Sequence, residues 1–381
     1  MTQFYIPTKI ITGLGCFSQL AEVAQSYGRK ALLTCGRSAM KDSGVLERAM
    51  SGLQAAGIQT VLYDAVSGEP TLEMVQAAVN LVRREGVEMV IGIGGGSAMD
   101  VAKAAAILCK QPGTVQEYHR GKAISKPGLP CIAVPTTAGT GAEVTNNAVL
   151  TDAEREVKES IRSPYLFAAA ALVDPELTLS MPPAVTASSG ADALCQAIES
   201  FVALAAQPLT DALTRQAIGW IGRSLVRAYE QGSDVHARAN MLYGSLLAGM
   251  ALTNTRLGGA HALAHPLGYR YHIPHGVLCG LLLPYVMQYS LDYALDKYAE
   301  VASLLGADTQ NLGPHAAAQQ AVEAIRGILQ RVGIPMHLAA FGVKKADLPD
   351  IIVGALRSSN AKNNPRPLAA EDLRAILEQA L

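Results

Sequence analysis

A surplus of charge of either sign is missing from this 381-residue chain: 31 Lys and Arg stand against 32 Asp and Glu, a formal net charge of −1. That balance removes the electrostatic footprint of a nucleic-acid binder. Aromatics make up only 5% and charged residues 17%, against 50% hydrophobic residues. Disorder is therefore excluded, and a large core is easily supplied. Long apolar runs are absent too, although mean hydropathy is +0.20. The stretches 166–173 and 277–286 are too short, or too broken by Gly and Pro, for the roughly 20 residues that cross a bilayer. Met1-Thr2-Gln3-Phe4 opens no charged region followed by an apolar one. The six cysteines (Cys16, Cys35, Cys109, Cys131, Cys195, Cys279) contain no C-x-x-C pair, which argues for reduced thiols. These absences predict a cytoplasmic protein with neither a membrane nor a nucleic acid as partner.

What is present falls into two halves. Up to about residue 180, short apolar runs alternate with amphipathic segments. Strands are expected at Ala31–Thr34, Thr60–Tyr63, Glu88–Ile93 and Cys131–Val134. Helices are expected at Ser43–Ala56, Thr71–Glu85 and Ser97–Cys109. That alternation predicts βαβ units and a parallel sheet covered on both faces. After Met181-Pro182-Pro183, alanine and leucine dominate at helical spacing. Helices are expected over Ala184–Phe201, Leu209–Tyr229, Val235–Ala251, Ala260–Leu267, Tyr285–Leu305 and Ala316–Val332. The division is thus an α/β domain over residues 1–180 and an all-α domain over 181–381.

Two loops in the first half carry chemistry. Gly94-Gly95-Gly96-Ser97, with Asp100 following, comes after a predicted strand and opens a predicted helix. Glycines let the backbone approach a phosphate, and a helix N-terminus offers free N–H donors and a favourable dipole. The spacing departs from the common G-x-G-x-x-G fingerprint, because Ser97 holds its last position. The second loop, with Thr136, Thr137, Gly139, Thr140 and Gly141, also follows a strand. Its hydroxyls suit phosphate or ribose, or else satisfy the loop's own backbone. A third position is the end of the first strong strand. Gly36, Arg37 and Ser38, with Lys41 beyond, stand where an acidic residue would repel a 2′-phosphate. A small residue, a hydroxyl and cations favour NADP(H) over NAD(H).

The second half carries a split constellation. Asp192 and Gln196 are four apart on one predicted helix, with Cys195 between them. His261, His265, His272 and His275 put four of the eight histidines into a fifteen-residue segment. A carboxylate with imidazoles suits a divalent cation such as Zn²⁺ or Fe²⁺. Arg270, between Tyr269 and Tyr271, either meets an acidic substrate group or faces solvent.

With these motifs the chain resembles the iron-containing, or group III, alcohol dehydrogenases over essentially its whole length. The likeness rests on Gly94–Ser97 with Asp100 and Lys103, on Pro135–Thr140, and on Gly190-x-Asp192-Ala-Leu. It rests further on His261-x3-His265-Pro-Leu-Gly268 with Pro274-His275-Gly276, and on Asn364-Pro-Arg-Pro367. The resemblance implies a Rossmann-like dinucleotide domain and a helical metal domain, an architecture shared with dehydroquinate synthase, with catalysis in the cleft between them. It puts the metal ligands at Asp192, Gln196, His261 and His275, and His265 near the nicotinamide. It puts the pyrophosphate at Gly95, Gly96 and Ser97, near Thr136 and Thr137. Most members carry histidine where this chain has Gln196, a neutral and weaker donor. The implied reaction is reversible hydride transfer between a nicotinamide and a small alcohol or aldehyde, in a homo-oligomer. The metal would act as Lewis acid, and His265, aided by His272, would relay the proton. Competing expectations are a metal-independent reductase of the maleylacetate type, a non-catalytic redox sensor or scaffold, and dehydroquinate synthase chemistry.

Overall fold

The computed structural model describes residues 2–381. The chain forms two compact units. One comprises Ile6–Thr137 and Gly141–Ser180, the other the N-terminal residues up to Tyr5, Ala138–Thr140 and Met181–Leu381.

The first unit is α/β. Its elements are β1 (Lys9–Thr12), α1 (Leu20–Gln25), β2 (Lys30–Gly36), α2 (Ala39–Asp42), α3 (Val45–Ala55), β3 (Gln59–Val66), α4 (Leu72–Glu85), β4 (Met89–Gly94), α5 (Gly96–Leu108), α6 (Val115–His119), β5 (Cys131–Pro135), β6 (Asn147–Asp152), β7 (Val157–Arg162) and β8 (Ala170–Val173). Six strands form one parallel sheet in the order β1-β8-β5-β4-β2-β3. The central strands are buried throughout their length because both sheet faces are covered. Period-two alternation divides them. Leu33 and Ile91 pack with Leu20, Leu46 and Leu53 of α1 and α3. Leu32 and Val90 pack with Val75, Val79 and Val101 of α4 and α5.

Strand order also fixes where a ligand can enter. From β2 the chain moves outward to β3, whereas from β4 it moves the other way to β5. The β2–β4 boundary is therefore a topological switch point, where open α/β sheets bind ligands beyond their strand C-termini. The three loops singled out above follow β2, β4 and β5.

Several elements of this unit went unread in the sequence: the edge strand β1, strand β8, the short helices α1, α2 and α6, and the pair β6 and β7. β6 and β7 form an antiparallel hairpin outside the main sheet. Fully buried Lys103 ties it down, with Nζ 2.9 Å from the Ala142 carbonyl, 2.6 Å from the Asn147 carbonyl and 3.0 Å from Thr145 Oγ1. Beside it, the Glu143 carboxyl is buried with no hydrogen-bond partner for Oε1, and burial pushes it up to about 7. Folding thus raises this pKa above its ordinary 4.5, so the native state holds the proton more tightly than the unfolded chain. Stability must fall as pH rises from about 4.5 to about 7, and then level off. Glu143→Gln removes the titration. Thermal unfolding between pH 5 and 8 should show a flatter profile for the variant and a midpoint higher by roughly 3 °C or more at pH 8.

The second unit is helical among its described residues: α7 (Pro183–Val202), α8 (Pro208–Glu230), α9 (Val235–Thr255), α10 (Gly259–Tyr271), α11 (His275–Ser290), α12 (Leu295–Leu304), α13 (Pro314–Arg331), α14 (Leu348–Arg357) and α15 (Ala370–Ala380). Local chemistry starts several of them. Pro183, Pro208 and Pro314 sit in first turns, where a missing N–H costs nothing. The Asp234 carboxylate caps α9, accepting from the His236 and Ala237 N–H groups at 3.0 Å.

The expected helix Tyr285–Leu305 is corrected. α11 begins ten residues earlier at His275, runs through Pro284, and ends at Ser290; α12 starts afresh at Leu295. α7 is buried along most of its length and packs against α8, α9 and α11. Small residues let α11 come close to it: a Cβ on Gly280 would lie 2.9 Å from Ala191 Cβ, and one on Gly276 would overlap the Ser188 carbonyl. This crossing brings α7's carboxylate to α11's first turn.

Candidate active site

Three helices bring together a cluster of side chains that could hold a metal ion. Asp192 lies in the buried middle of α7, His261 in the first turn of α10, and His275 at the start of α11. Asp192 Oδ1 stands 3.2 Å from His261 Nε2 and 3.9 Å from His275 Nε2. The sequence separates these residues by up to 83 positions, from 192 to 275, and the close α7–α11 crossing reunites them.

Glu199, two turns after Asp192 on α7, fixes the arrangement from behind. Its carboxylate accepts from Gly258 N (3.0 Å) and Ala260 N (2.7 Å), capping α10, and lies 2.7 Å from His261 Nδ1. Three donors thus surround a buried anion at a helix N-terminus. With Nδ1–H given to Glu199, His261 Nε2 is the nitrogen left to face Asp192. A carboxylate behind an imidazole in this way orients metal-binding histidines and raises their basicity. Burial alone would lower His261, but Cys279, Glu199 and Asp192 around it hold its pKa well above the usual histidine range. A divalent cation arriving here would displace that proton.

Gln196 donates its Nε2–H to Asp192 Oδ2 at 3.0 Å, while its buried Oε1 has no hydrogen-bond partner. Cys279, one turn after His275 on α11, places Sγ 3.5 Å from His275 Nε2. Donor atoms of Asp192, His261, His275 and Cys279 all lie within 4.8 Å of one another. An orphaned carbonyl oxygen beside a carboxylate, two imidazoles and a thiol fits a divalent metal ion.

His265 is one turn beyond His261, and its ring centroid lies 5.4 Å from that of His275. His272 is not gathered in. It terminates α10 in a left-handed conformation (φ 54°) with its side chain exposed, serving the turn that aims His275. Arg270 is engaged as well, at 2.6 Å from Asp347 and 2.9 Å from Asp350. Glu199 and Cys279 are the residues that sequence reading missed. Helical spacing could have flagged both, since each shares a helix face with a predicted ligand.

In the α/β unit the predicted loops stand side by side. Thr136 N donates to the Gly94 carbonyl at 2.9 Å, and a Cβ on Gly95 would sit 3.2 Å from Thr137 Oγ1. Gly94 has φ 148°, a conformation that side chains resist. α5 begins at Gly96 with no side-chain cap, and the N–H groups of Ala98 and Met99 already donate to the Gly95 carbonyl, so those of Gly96 and Ser97 are the ones open to an anion. Asp100 does not point that way. Its oxygens take Lys103 Nζ (3.1 Å) and Val149 N (2.9 Å), anchoring α5 to the hairpin. After β2, Arg37 and Ser38 are exposed beside Gly36. Lys41 is paired with Asp64 at 2.5 Å, and that bond holds the Asp64 carboxyl below its ordinary range.

Comparison with known proteins gives the family. The description "Iron-containing alcohol dehydrogenase" matches residues 7–175, and "Fe-containing alcohol dehydrogenase family, C-terminal" matches residues 186–381. The chain is 39% identical to the 1,3-propanediol dehydrogenase of Klebsiella pneumoniae, over 100% of this chain and 99% of that one. It is 32% identical to the NAD-dependent methanol dehydrogenase of Bacillus methanolicus, with both chains covered fully (100%). A solved 1,3-propanediol oxidoreductase superposes with a TM-score of 0.97 at 37% identity, covering 100% of both chains. The chain belongs to the iron-containing alcohol dehydrogenase family.

Proposed function

We propose a residue-level reading of the family's reaction in this chain. As a family member the chain is a metal-dependent alcohol dehydrogenase, an oxidoreductase acting on CH–OH with a nicotinamide dinucleotide. Asp192, His261 and His275 hold the cation, with the Gln196 amide beside them. Glu199 keeps His261 in the tautomer that presents Nε2. When bound, the nicotinamide supplies or accepts the hydride and the divalent cation polarises the substrate's C–O bond. The protein's own work is positioning and proton handling. His265, packed on the His275 ring and half-buried, relays the hydroxyl proton. His272, exposed at the end of α10, takes no direct part. The relatives' names cover propanediol, methanol and sulfoacetaldehyde, which supports a small alcohol or aldehyde as substrate class. All six cysteines are free, in keeping with a cytoplasmic setting; a homo-oligomeric state completes the reading.

The observation that carries this reading is the meeting of Asp192, His261 and His275 in front of Glu199. Metal analysis of the purified protein, with turnover of an aldehyde panel before and after chelation, tests it. Chelation should cost at least about 100-fold in turnover, with recovery on adding Fe²⁺ or Zn²⁺. Full turnover by stripped protein would instead favour a metal-independent reductase.

For the dinucleotide, we infer that Gly36, Arg37 and Ser38 favour NADP(H), with the pyrophosphate at Gly95, Gly96 and Ser97 near Thr136 and Thr137. Lys41, held by Asp64, is not counted among the cations available. Gly36→Asp supplies the missing carboxylate where a Cβ meets only the Val66 carbonyl, at 3.7 Å. The variant should lose at least about tenfold in kcat/KM with NADP⁺ while changing little with NAD⁺. Equal losses with both cofactors would sink the assignment.

A further inference from the structure

The metal cluster holds one donor that neither the motifs nor the relatives' names assign, the thiol of Cys279. His275 and Cys279 are four apart on α11 and therefore share a face of that helix. Cys279 is fully buried, and its Sγ is 3.5 Å from His275 Nε2. Zinc sites place nitrogen and oxygen donors about 2.0–2.2 Å from the ion and sulfur about 2.3 Å. Donor atoms at tetrahedral angles on such bonds stand roughly 3.3–3.6 Å apart. The observed separations are 3.2 Å (Asp192 Oδ1 to His261 Nε2), 3.9 Å (Asp192 Oδ1 to His275 Nε2) and 3.5 Å (His275 Nε2 to Cys279 Sγ). These bracket the ideal range.

A second observation concerns Gln196. Its amide lies inside the cluster, bound through Nε2 to Asp192, with Oε1 buried and unpartnered. A buried acceptor left without a donor is open to a cation. This oxygen is neutral, however, and cannot replace the charge or the basicity of an imidazole. A thiolate can. Cys195, the other thiol nearby, sits on the wrong side of His261: its Sγ is 3.7 Å from Nδ1, the nitrogen that Glu199 occupies.

We propose that Cys279 is a metal ligand, so that this chain grips its cation with a carboxylate, two imidazoles and a thiolate, and prefers Zn²⁺ to Fe²⁺. On binding, the S–H bond breaks, the proton leaves to solvent, and sulfur donates its electron pair to the cation; no electron is transferred. The preference follows from ligand softness, since thiolate suits Zn²⁺ better than it suits Fe²⁺ in an otherwise nitrogen and oxygen site. This rests on the metal reading above, and the test separates the two.

The probe is Co²⁺ loaded one-to-one into stripped full-length protein, followed by absorption spectroscopy and metal analysis. A thiolate-to-cobalt charge-transfer band in the near ultraviolet is expected in the wild type and in Cys195→Ser. The band should vanish in Cys279→Ser while cobalt remains bound. Competition between Zn²⁺ and Fe²⁺ should then show at least a tenfold loss of zinc preference in Cys279→Ser. Should that variant fail to fold, a wild-type band that survives Cys195→Ser already assigns the sulfur to Cys279, the one thiol left in the cluster. Bound cobalt with no such band in the wild type, or a band that persists in Cys279→Ser, overturns the proposal but leaves the metal site standing. Failure of the wild type to take up any divalent ion overturns both.

Discussion

Asp192→Ala is expected to lower kcat/KM by at least about 10³-fold and to abolish one-to-one metal retention. Asp192 is the carboxylate at the centre of the cluster, its Oδ1 facing both His261 and His275. Without it, a divalent cation loses the ligand that meets both imidazoles. Loss of Lewis-acid stabilisation amounts to several kcal/mol, and each 1.36 kcal/mol is a factor of ten in rate. The damage extends further, since Gln196 Nε2 would lose its acceptor in a buried setting. Steady-state kinetics with added Zn²⁺ or Fe²⁺, together with metal content after gel filtration, provides the check. A loss smaller than tenfold, with metal retained, would show that the cation is held elsewhere.

Gly276→Ala should damage both stability and metal binding although it touches no ligand. A methyl group at this position would overlap the Ser188 carbonyl oxygen and carbon, which belong to the backbone of buried α7. That backbone has no flexible end to swing aside, so α11 must move off. His275 and Cys279 travel with it. Overpacking of this kind costs about 1–3 kcal/mol, and more where backbone meets side chain. For a unit of this size we expect a midpoint lower by roughly 5 °C or more and a clear drop in bound metal. Gly268→Ala is the control, because its Cβ meets the Ile273 carbonyl and Leu278 Cδ1 at an ordinary 3.5 Å. If Gly276→Ala unfolds within about 1 °C of the control, the α7–α11 crossing is not as tight as described.

Much of the α/β unit is readable from local signals. Strands β2, β4 and β5 are continuous apolar runs because they lie inside a doubly covered sheet. The β6–β7 hairpin escaped because Val157-Lys-Glu-Ser-Ile-Arg162 has apolar residues only at 157 and 161, too sparse for a period-two signal, and lies outside that sheet. In the helical unit, apolar spacing continues across the Ser290–Leu295 break, so periodicity alone joined α12 to the end of α11. At the site, Asp192, His261, His265 and His275 announce themselves by residue type and spacing. Glu199 and Cys279 share helix faces with Asp192 and His275, but spacing alone does not give them a role, because Glu199's partners come from another helix and Cys279's place beside Asp192 and His261 depends on how the helices cross. The same limit explains Asp100 and Lys41. Each looked available to a cofactor in the sequence, and each meets an oppositely charged neighbour in the fold.

The burial of all six sulfhydryls has a practical consequence. An alkylating reagent can reach them only when the surrounding structure opens, so the rate of modification measures an opening equilibrium. Cys16, Cys35, Cys109 and Cys131 belong to the α/β unit, whereas Cys195 and Cys279 belong to the helical one. Mass spectrometry of individually modified peptides would therefore report the breathing of each half separately, with natural reporters already in place.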